Sequence, residues 1–169
     1  MLYFYCFWLS MKVKTMKLIG RVREIQKIDR LMSSTQSEFL AIYGRRRVGK
    51  TFLIRDYFKN EFDFYATGLA KGNTKQQLTN FTIFINNYFS GSHVVPANWL
   101  EAFNLLIKEL EQKKTTSKKI IFIDEMPWMD TKKSDFMMGL SFFGMLGQVA
   151  ELTFYLSFAV QRIIEYLII

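Results

Sequence analysis

The feature that most constrains this chain is an eight-residue pattern of a glycine, four variable residues and then Gly-Lys-Thr. Its members are Gly44, Arg45, Arg46, Arg47, Val48, Gly49, Lys50 and Thr51. In such a loop, successive backbone N–H groups point inward at the phosphates of a nucleotide, and glycines stand where a side chain would block them. Lys50 is suited to reach the β and γ phosphates, and the Thr51 hydroxyl to complete a Mg²⁺ shell. The pattern therefore predicts a nucleotide-binding loop.

The residues on either side of the loop fit this prediction. The apolar run at 39–43 is typical of a buried parallel strand. A helix is expected to start at Thr51 and to point the positive end of its dipole at the phosphates. Its apolar residues are expected to cover the sheet; they are Phe52, Ile54, Tyr57 and Phe58. The alternative is a chance match to the pattern. A chance match would not be expected to have a strand before it and a helix after it, so the flanking residues favour the nucleotide-binding loop.

A second strong signal is the strand-like run at 120–123, which ends in Asp124 and Glu125. In ATPases with a phosphate-binding loop, an aspartate at this position holds Mg²⁺, and a following glutamate is suited to activate the attacking water. The alternative is a strand that merely ends in acids. The sequence lacks the Asn-Lys-x-Asp element with which a GTPase reads its base. Enzymes that transfer phosphate to small molecules usually lack a glutamate directly after the metal-site aspartate. ATP hydrolysis is therefore favoured over both GTP hydrolysis and phosphoryl transfer to a small molecule.

The rest of the chain alternates helical and strand-like segments. Apolar residues recur at helical spacing over 23–32, 75–89 and 98–112, and 62–67 is typical of a second strand. In the helix at 75–89, the aromatic residues Phe81 and Phe89 are expected in the core, not on a base-stacking surface. The alternation predicts an α/β fold.

The composition limits the class of protein. A chain of 169 residues, 50% of them hydrophobic, is large enough for one folded domain. Its net charge of +8 suits an anionic partner, either the nucleotide or a nucleic acid, although a basic excess also serves solubility alone. Cys6 and His93 are the only residues of their types, which excludes an internal disulfide and a metal site built from several histidines. A cytoplasmic location is expected.

Residues 1–9 are almost entirely apolar, and a basic stretch follows them. A secretory signal has the reverse order, and so short a run does not span a bilayer. Two interpretations remain: an anchor on a membrane surface, or an upstream extension of the reading frame with Met11 or Met16 as the native start. We favour the extension.

Four segments together resemble one known family. They are Leu-Ile-Gly-Arg at 18–21, the loop with Tyr43, Tyr-Ala-Thr-Gly-Leu-Ala-Lys-Gly-Asn at 65–73, and Phe-Ile-Asp-Glu-Met-Pro-Trp-Met-Asp at 122–130. They look like the archaeal-type ATPases, a branch of the AAA+ and STAND P-loop ATPases. The resemblance implies a three-layer α/β sandwich with a parallel sheet of strand order 5-1-4-3-2. It also implies an ATP-driven switch with ATP and Mg²⁺ as ligands and with Ile19, Gly20 and Arg21 near the adenine.

The resemblance ends near residue 136, so we expect a leader at 1–16, an ATPase core at 17–135 and an aberrant apolar tail at 136–169. One hypothesis is that the tail is the family's own gene read one nucleotide out of frame. The rival interpretation, a membrane segment, is disfavoured by polar residues in the middle of the tail. Residues 152–160 are apolar and could either stand in for the family's fourth strand or form a helix.

The sequence thus predicts an ATP-binding domain with Lys50 and Glu125 as catalytic residues and Thr51 and Asp124 at the metal. Hydrolysis is expected to be impaired, because neither a γ-phosphate sensor nor an arginine donated across a homo-oligomer is recognisable.

Two alternatives stay open. One is a non-enzymatic fragment that binds nucleotide or DNA through the three loop arginines and the basic turn at 113–119. The other is a membrane-attached ATPase.

Overall fold

The computed structural model describes residues 20–45, 47–113, 118–149 and 152–157. Its elements are α1 (Val22–Ser33), β1 (Phe39–Ile42), α2 (Lys50–Tyr57), β2 (Phe64–Thr67), α3 (Thr74–Phe89), α4 (Trp99–Gln112), β3 (Lys119–Asp124), a 3₁₀ turn (Met126–Trp128), α5 (Phe136–Val149) and β4 (Leu152–Ser157). The predicted leader, Ile19, Arg46 and most of the basic turn lie outside the described residues.

The four strands form one parallel sheet in the order β1-β4-β3-β2. Its register aligns Ile42 of β1 with Ser157 of β4, and Thr67 of β2 with Asp124 of β3. The carboxyl ends of the strands therefore lie at one edge of the sheet, where α/β proteins bind their ligands. This order matches the 1-4-3-2 part of the predicted arrangement, and the described residues include no fifth strand.

The strand β4 occupies the position that the sequence left in doubt. It pairs with β1 on one side and with β3 on the other. Residues 152–157 thus stand where a fourth strand was predicted, between the strand that leads into the loop and the strand that ends in Asp124. Because β4 joins them, the two halves of the predicted site belong to one hydrogen-bonded sheet.

Helices cover both faces of this sheet. Along β3, Ile121 and Ile123 pack in a cluster with α3, α4 and α5, whereas Phe122 packs with α1 and α2. Successive side chains of a strand point to opposite faces, so one strand contributes to both clusters. The rings of Phe81 in α3 and Phe103 in α4 are fully buried. The prediction that Phe81 and Phe89 face the core is right for Phe81, whereas Phe89 is partly buried against the same cluster.

The predicted inner face of α2 needs one correction. Phe52 is 41% exposed, and Leu53 is buried beside Ile54 instead. Phe52 lies about 200° around the helix from Ile54, since successive residues are separated by roughly 100°. Its side chain consequently does not cover the sheet.

The outer edge of β2 is closed by α3. Asn80 donates a hydrogen bond from Nδ2 to the Thr67 carbonyl at 2.8 Å. The ring of Phe84 packs edge-on against Tyr65, with 5.8 Å between the ring centroids. Such contacts protect an edge strand from pairing with another chain. They also fix the position of β2, and hence the start of the loop that follows it.

The first part of the predicted tail is packed into the core. Phe136 and Phe143 of α5 are fully buried, and both pack on Phe103 of α4. The domain boundary at 135/136 stays a prediction. Within the described residues, no helix combines the length and the apolar character that crossing a membrane requires.

A hydrogen bond between α1 and α2 gives a pH-dependent prediction. Tyr57 donates from Oη to Asp29 Oδ1 at 2.6 Å. Burial, followed by this bond and by the Asp29 charge, raises the pKa of Tyr57 from 10.0 to about 12. A raised pKa favours the protonated side chain in the folded state. The stabilisation is therefore complete below pH 10 and is lost as the pH rises through 12.

The measurement is urea unfolding of the natural chain and Tyr57→Phe across this pH range. The stability difference between the two proteins should be constant below pH 10 and should shrink towards pH 12. A difference that stays constant throughout would contradict the prediction.

Candidate functional site

A cleft of about 660 Å³ opens where β1, β2 and β3 end. Its walls come from three connections: the loop between β1 and α2, the loop between β2 and α3, and the segment after β3. The residues that line it are Arg47, Gly49, Lys50, Thr51, Phe52, Gly68, Ala70, Glu125 and Trp128. The cleft therefore contains parts of both sequence signals.

The loop before α2 joins a strand to a helix, as its sequence pattern predicts. Gly49 caps the helix in the left-handed conformation with φ of 78°, which favours glycine, and α2 begins at Lys50. The Lys50 side chain is buried, and its Nζ donates to the carbonyl oxygens of Gly44 and Arg45, each at 3.0 Å. The ammonium group is thus held against the loop, beside a helix N-terminus that favours anions.

A direct contact joins the loop to the acid pair. Thr51 donates from Oγ1 to Asp124 Oδ2 at 2.8 Å, although the two residues are far apart in the sequence. The other carboxylate oxygen of Asp124 accepts from the backbone N–H of Glu125 at 2.9 Å. Both oxygens of this buried acid have partners, as a buried charge requires. The structure therefore brings Thr51 and Asp124 together.

Glu125 adopts an uncommon backbone conformation for a residue with a side chain. Its φ is 49° and its ψ is 36°, in the left-handed region. The residue is half-buried and lines the cleft. Gly68 lies against it so closely that a Cβ there would be 2.4 Å from the Glu125 carbonyl oxygen. The tight packing of these two backbones fixes where the Glu125 side chain starts.

The sequence reasoning gave no role to the loop between β2 and α3. This loop is held by Gln77, a fully buried polar residue of α3. The Gln77 side-chain oxygen accepts from Leu69 N at 2.9 Å, and its Nε2 donates to Leu69 O at 2.6 Å. The segment 65–73 was part of the family resemblance, and the only further signal was a polar residue on a largely apolar helix face. Together they could have identified the loop as a wall of the site.

The residues predicted near the adenine lie beside the loop, as far as they are described. The Arg21 guanidinium donates to the Val48 carbonyl and pairs with Glu24 at 3.5 Å. Gly20 precedes it with φ of 92°. A separate cavity of about 340 Å³ lies between α1 and β1, and Glu24 and Tyr43 line it. Arg21 therefore supports the loop from outside, whereas its contact with a base stays a prediction.

The basic turn makes contacts within the chain where it is described. Lys113 pairs with Asp63 at 2.8 Å, and Lys118 donates to the Leu31 carbonyl at 2.9 Å. Both amines therefore have intramolecular partners.

Among the described residues there is no group of three or more His, Cys, Asp or Glu side chains that could hold a metal ion by itself.

Comparison with known proteins identifies the family of this chain. The sequence model of a family described as an ATPase domain predominantly from Archaea matches residues 18–146. An uncharacterized protein of Methanocaldococcus jannaschii is 28% identical over 109 residues, which are 64% of this chain and 22% of that protein. An uncharacterized ATP-binding protein of the same organism is 35% identical over 43 residues, which are 25% of this chain and 73% of that protein.

The chain spans only about a fifth of the length of the first of these relatives. The family match is much broader and covers well over half of this chain, including the loop, the acid pair and most of α5. It continues to residue 146, so the expectation that the resemblance ends near residue 136 is wrong. The protein therefore belongs to the family of ATPase domains found predominantly in Archaea.

Proposed function

We propose that this chain binds ATP with Mg²⁺ in the 660 Å³ cleft and that the bound ATP is the substrate of hydrolysis. The observation that carries the proposal is the 2.8 Å hydrogen bond between Thr51 and Asp124. The bond joins the phosphate-binding loop to an aspartate at the end of a strand. A bound triphosphate and its metal ion need these two parts side by side. Family membership and the ATP-binding relative support the same ligand.

The donor set fits Mg²⁺. This ion prefers oxygen ligands and keeps several waters, so one or two protein oxygens and the phosphates suffice. Thr51 and Asp124 supply such oxygens, and we assign both to the metal. When bound, Mg²⁺ would offset the charge of the β and γ phosphates. Lys50 would leave the carbonyls of Gly44 and Arg45 and donate to the phosphates instead.

Glu125 is our candidate for the general base. In the hydrolysis step the water oxygen forms a bond to the γ phosphorus, and the bond from that phosphorus to the β,γ-bridging oxygen breaks. Its electron pair stays on ADP, and the proton of the water passes to the Glu125 carboxylate and then to solvent. The position of Glu125 in the cleft, next to the buried Asp124, suits this role.

We extend the proposal to an ATP-driven switch of the AAA+ and STAND type, with the sheet as part of a 5-1-4-3-2 sandwich. A cytoplasmic location, a homo-oligomer and slow hydrolysis stay predictions. Contact with DNA also stays a prediction, and the engagement of Lys113 and Lys118 within the chain gives it no support.

The test is binding and turnover of Mg-ATP by the natural chain, Lys50→Ala and Glu125→Gln. Lys50→Ala should weaken ATP binding roughly 10- to 100-fold, because a charge-assisted hydrogen bond contributes about 1.5–3 kcal/mol. Glu125→Gln should bind ATP normally and lower turnover by roughly 10²- to 10⁴-fold, the usual contribution of a general base. ATP affinity that is unchanged in Lys50→Ala would refute the site assignment.

A further inference from the structure

Two residues that are not glycine hold a left-handed backbone conformation in the walls of the cleft. They are Arg47, with φ of 62°, and Glu125, with φ of 49°. Most side chains disfavour this conformation, whereas glycine adopts it freely. The five other such residues of the described chain lie in turns or at a helix end; they are Lys59, Asn60, Lys71, Ser90 and Lys133. Backbone strain at the lining of a site is a reason to ask what the side chain does there.

Two other cations of the described residues near the cleft, Lys50 and Arg21, already have intramolecular partners. Lys50 donates to two carbonyl oxygens of the loop, and Arg21 contacts Val48 and Glu24. Arg45 is not among the residues that line the cleft. Arg47 does line it, is exposed, and forms no ion pair with another residue of the described chain. Its guanidinium group is therefore available to an anionic ligand in the cleft.

We propose that Arg47 is a catalytic residue that contacts the γ phosphate of ATP, so that the loop itself supplies the arginine for phosphoryl transfer. This inference rests on the proposed function. If Arg47 has this role, hydrolysis does not need an arginine from a second copy of the chain. No such arginine was recognisable in the sequence. Arg47 and Glu125 line the same cleft, where the first would hold the γ phosphate and the second the water.

The chemistry of guanidinium fits this role. As the water oxygen bonds to the γ phosphorus and the β,γ-bridging oxygen departs with its electron pair, negative charge is spread over the three equatorial oxygens and the leaving oxygen. The planar guanidinium can donate two parallel hydrogen bonds to such oxygens, which a lysine ammonium cannot. ADP lacks the γ phosphate, so Arg47 should favour ATP over ADP.

The experiment measures ATP and ADP affinities by calorimetry, and phosphate release, for the full chain, Arg47→Gly and Arg47→Lys. Glycine suits the backbone at this position, so Arg47→Gly should keep the loop intact. The matched control is Lys59→Gly, which removes an equal charge from a left-handed position beyond the far end of α2.

We expect Arg47→Gly to keep its ADP affinity and to lose at least roughly 10-fold of its preference for ATP, as the loss of a charge-assisted bond implies. Turnover should fall by about 10³-fold or more, the effect of an arginine in this role. Arg47→Lys should restore the preference for ATP in part but not the rate of turnover. Lysine keeps the positive charge but lacks the planar group that donates two parallel hydrogen bonds. Lys59→Gly should match the natural chain.

An ATP preference unchanged in Arg47→Gly would overturn the proposal. So would an equal loss of ATP and ADP affinity, which indicates general charge attraction. In either case a loss of binding in Lys50→Ala would still support the proposed function. If the natural chain does not bind ATP at all, both proposals fail. The ratio of ATP affinity to ADP affinity tests the role of Arg47 even where turnover is slow.

Discussion

Replacing Gly68 with alanine is expected to lower the stability of the fold and to displace Glu125 from the cleft. An added Cβ would lie 2.4 Å from the Glu125 carbonyl oxygen and 3.0 Å from Trp128 Cβ. The first of these neighbours is backbone, so the overlap can be relieved only by moving a main chain. Overpacking of this kind costs typically about 1–3 kcal/mol. In a domain of this size the melting temperature should fall by roughly 2–12 °C.

The same substitution should also lower ATP turnover, because Gly68 donates from its N–H to the Asp124 carbonyl at 3.0 Å. Movement at Gly68 therefore displaces both members of the acid pair. ATP binding should change less than turnover, since Lys50 and the loop lie across the cleft.

Gly144→Ala is the matched control for Gly68→Ala. Gly144 lies in α5, and a Cβ there would meet nothing within 4 Å. Alanine in a helix interior is favoured over glycine by roughly 0.5–1 kcal/mol, so this variant should be as stable as the natural chain or more so. Thermal unfolding of the two variants side by side checks the prediction. Equal melting temperatures and equal turnover would show that the close approach at Gly68 does not constrain Glu125.

The parts of the site that sequence reasoning predicted are those whose chemistry demands fixed residue types at fixed spacing. A phosphate cradle needs glycines, a lysine and a hydroxyl in one loop, and in the structure Gly49 caps the helix that begins at Lys50, whose Nζ donates to two loop carbonyls. An acid at the end of an apolar strand was expected at the same edge of the sheet. The contact between Thr51 and Asp124 follows from these two expectations together.

What the sequence did not predict depends on contacts between distant residues. Gly68 and Gln77 matter because one approaches Glu125 and the other holds the loop beside it. Neither residue type signals such a role in a linear pattern. The error at Phe52 has a different origin: in so short a helix, apolar residues lie on more than one side, and the pattern alone does not decide which of them face the sheet.

The segment after residue 135 shows most clearly that a linear pattern does not predict contacts between distant residues. The apparent end of the family resemblance predicted an aberrant apolar tail, but it does not determine which surface an apolar helix packs against. In the structure Phe136 begins α5 and is fully buried, with its ring centroid 4.8 Å from that of Trp99 and 5.8 Å from that of Phe103. Whether this helix stabilises the domain can be measured.

Phe136→Ala is expected to destabilise the protein by about 3–5 kcal/mol, the usual cost of truncating a buried phenylalanine and leaving a cavity. Much of a typical domain's stability would be lost, since the total is only about 5–15 kcal/mol. The control is Met138→Ala on the same helix, where the side chain is 57% exposed. That change should stay within about 0.5 kcal/mol, as surface substitutions do.

Urea unfolding of both variants measures the difference. A large loss in Phe136→Ala alone would show that α5 is part of the cooperative unit that contains the cleft. Equally small effects would show that α5 contributes little to the fold, and the boundary at 135/136 would then be supported. The result matters for the site, because β4 follows directly from α5 and lies between the strand that leads into the phosphate loop and the strand that ends in Asp124. Loss of α5 packing should therefore loosen the sheet at the position that joins the two halves of the cleft.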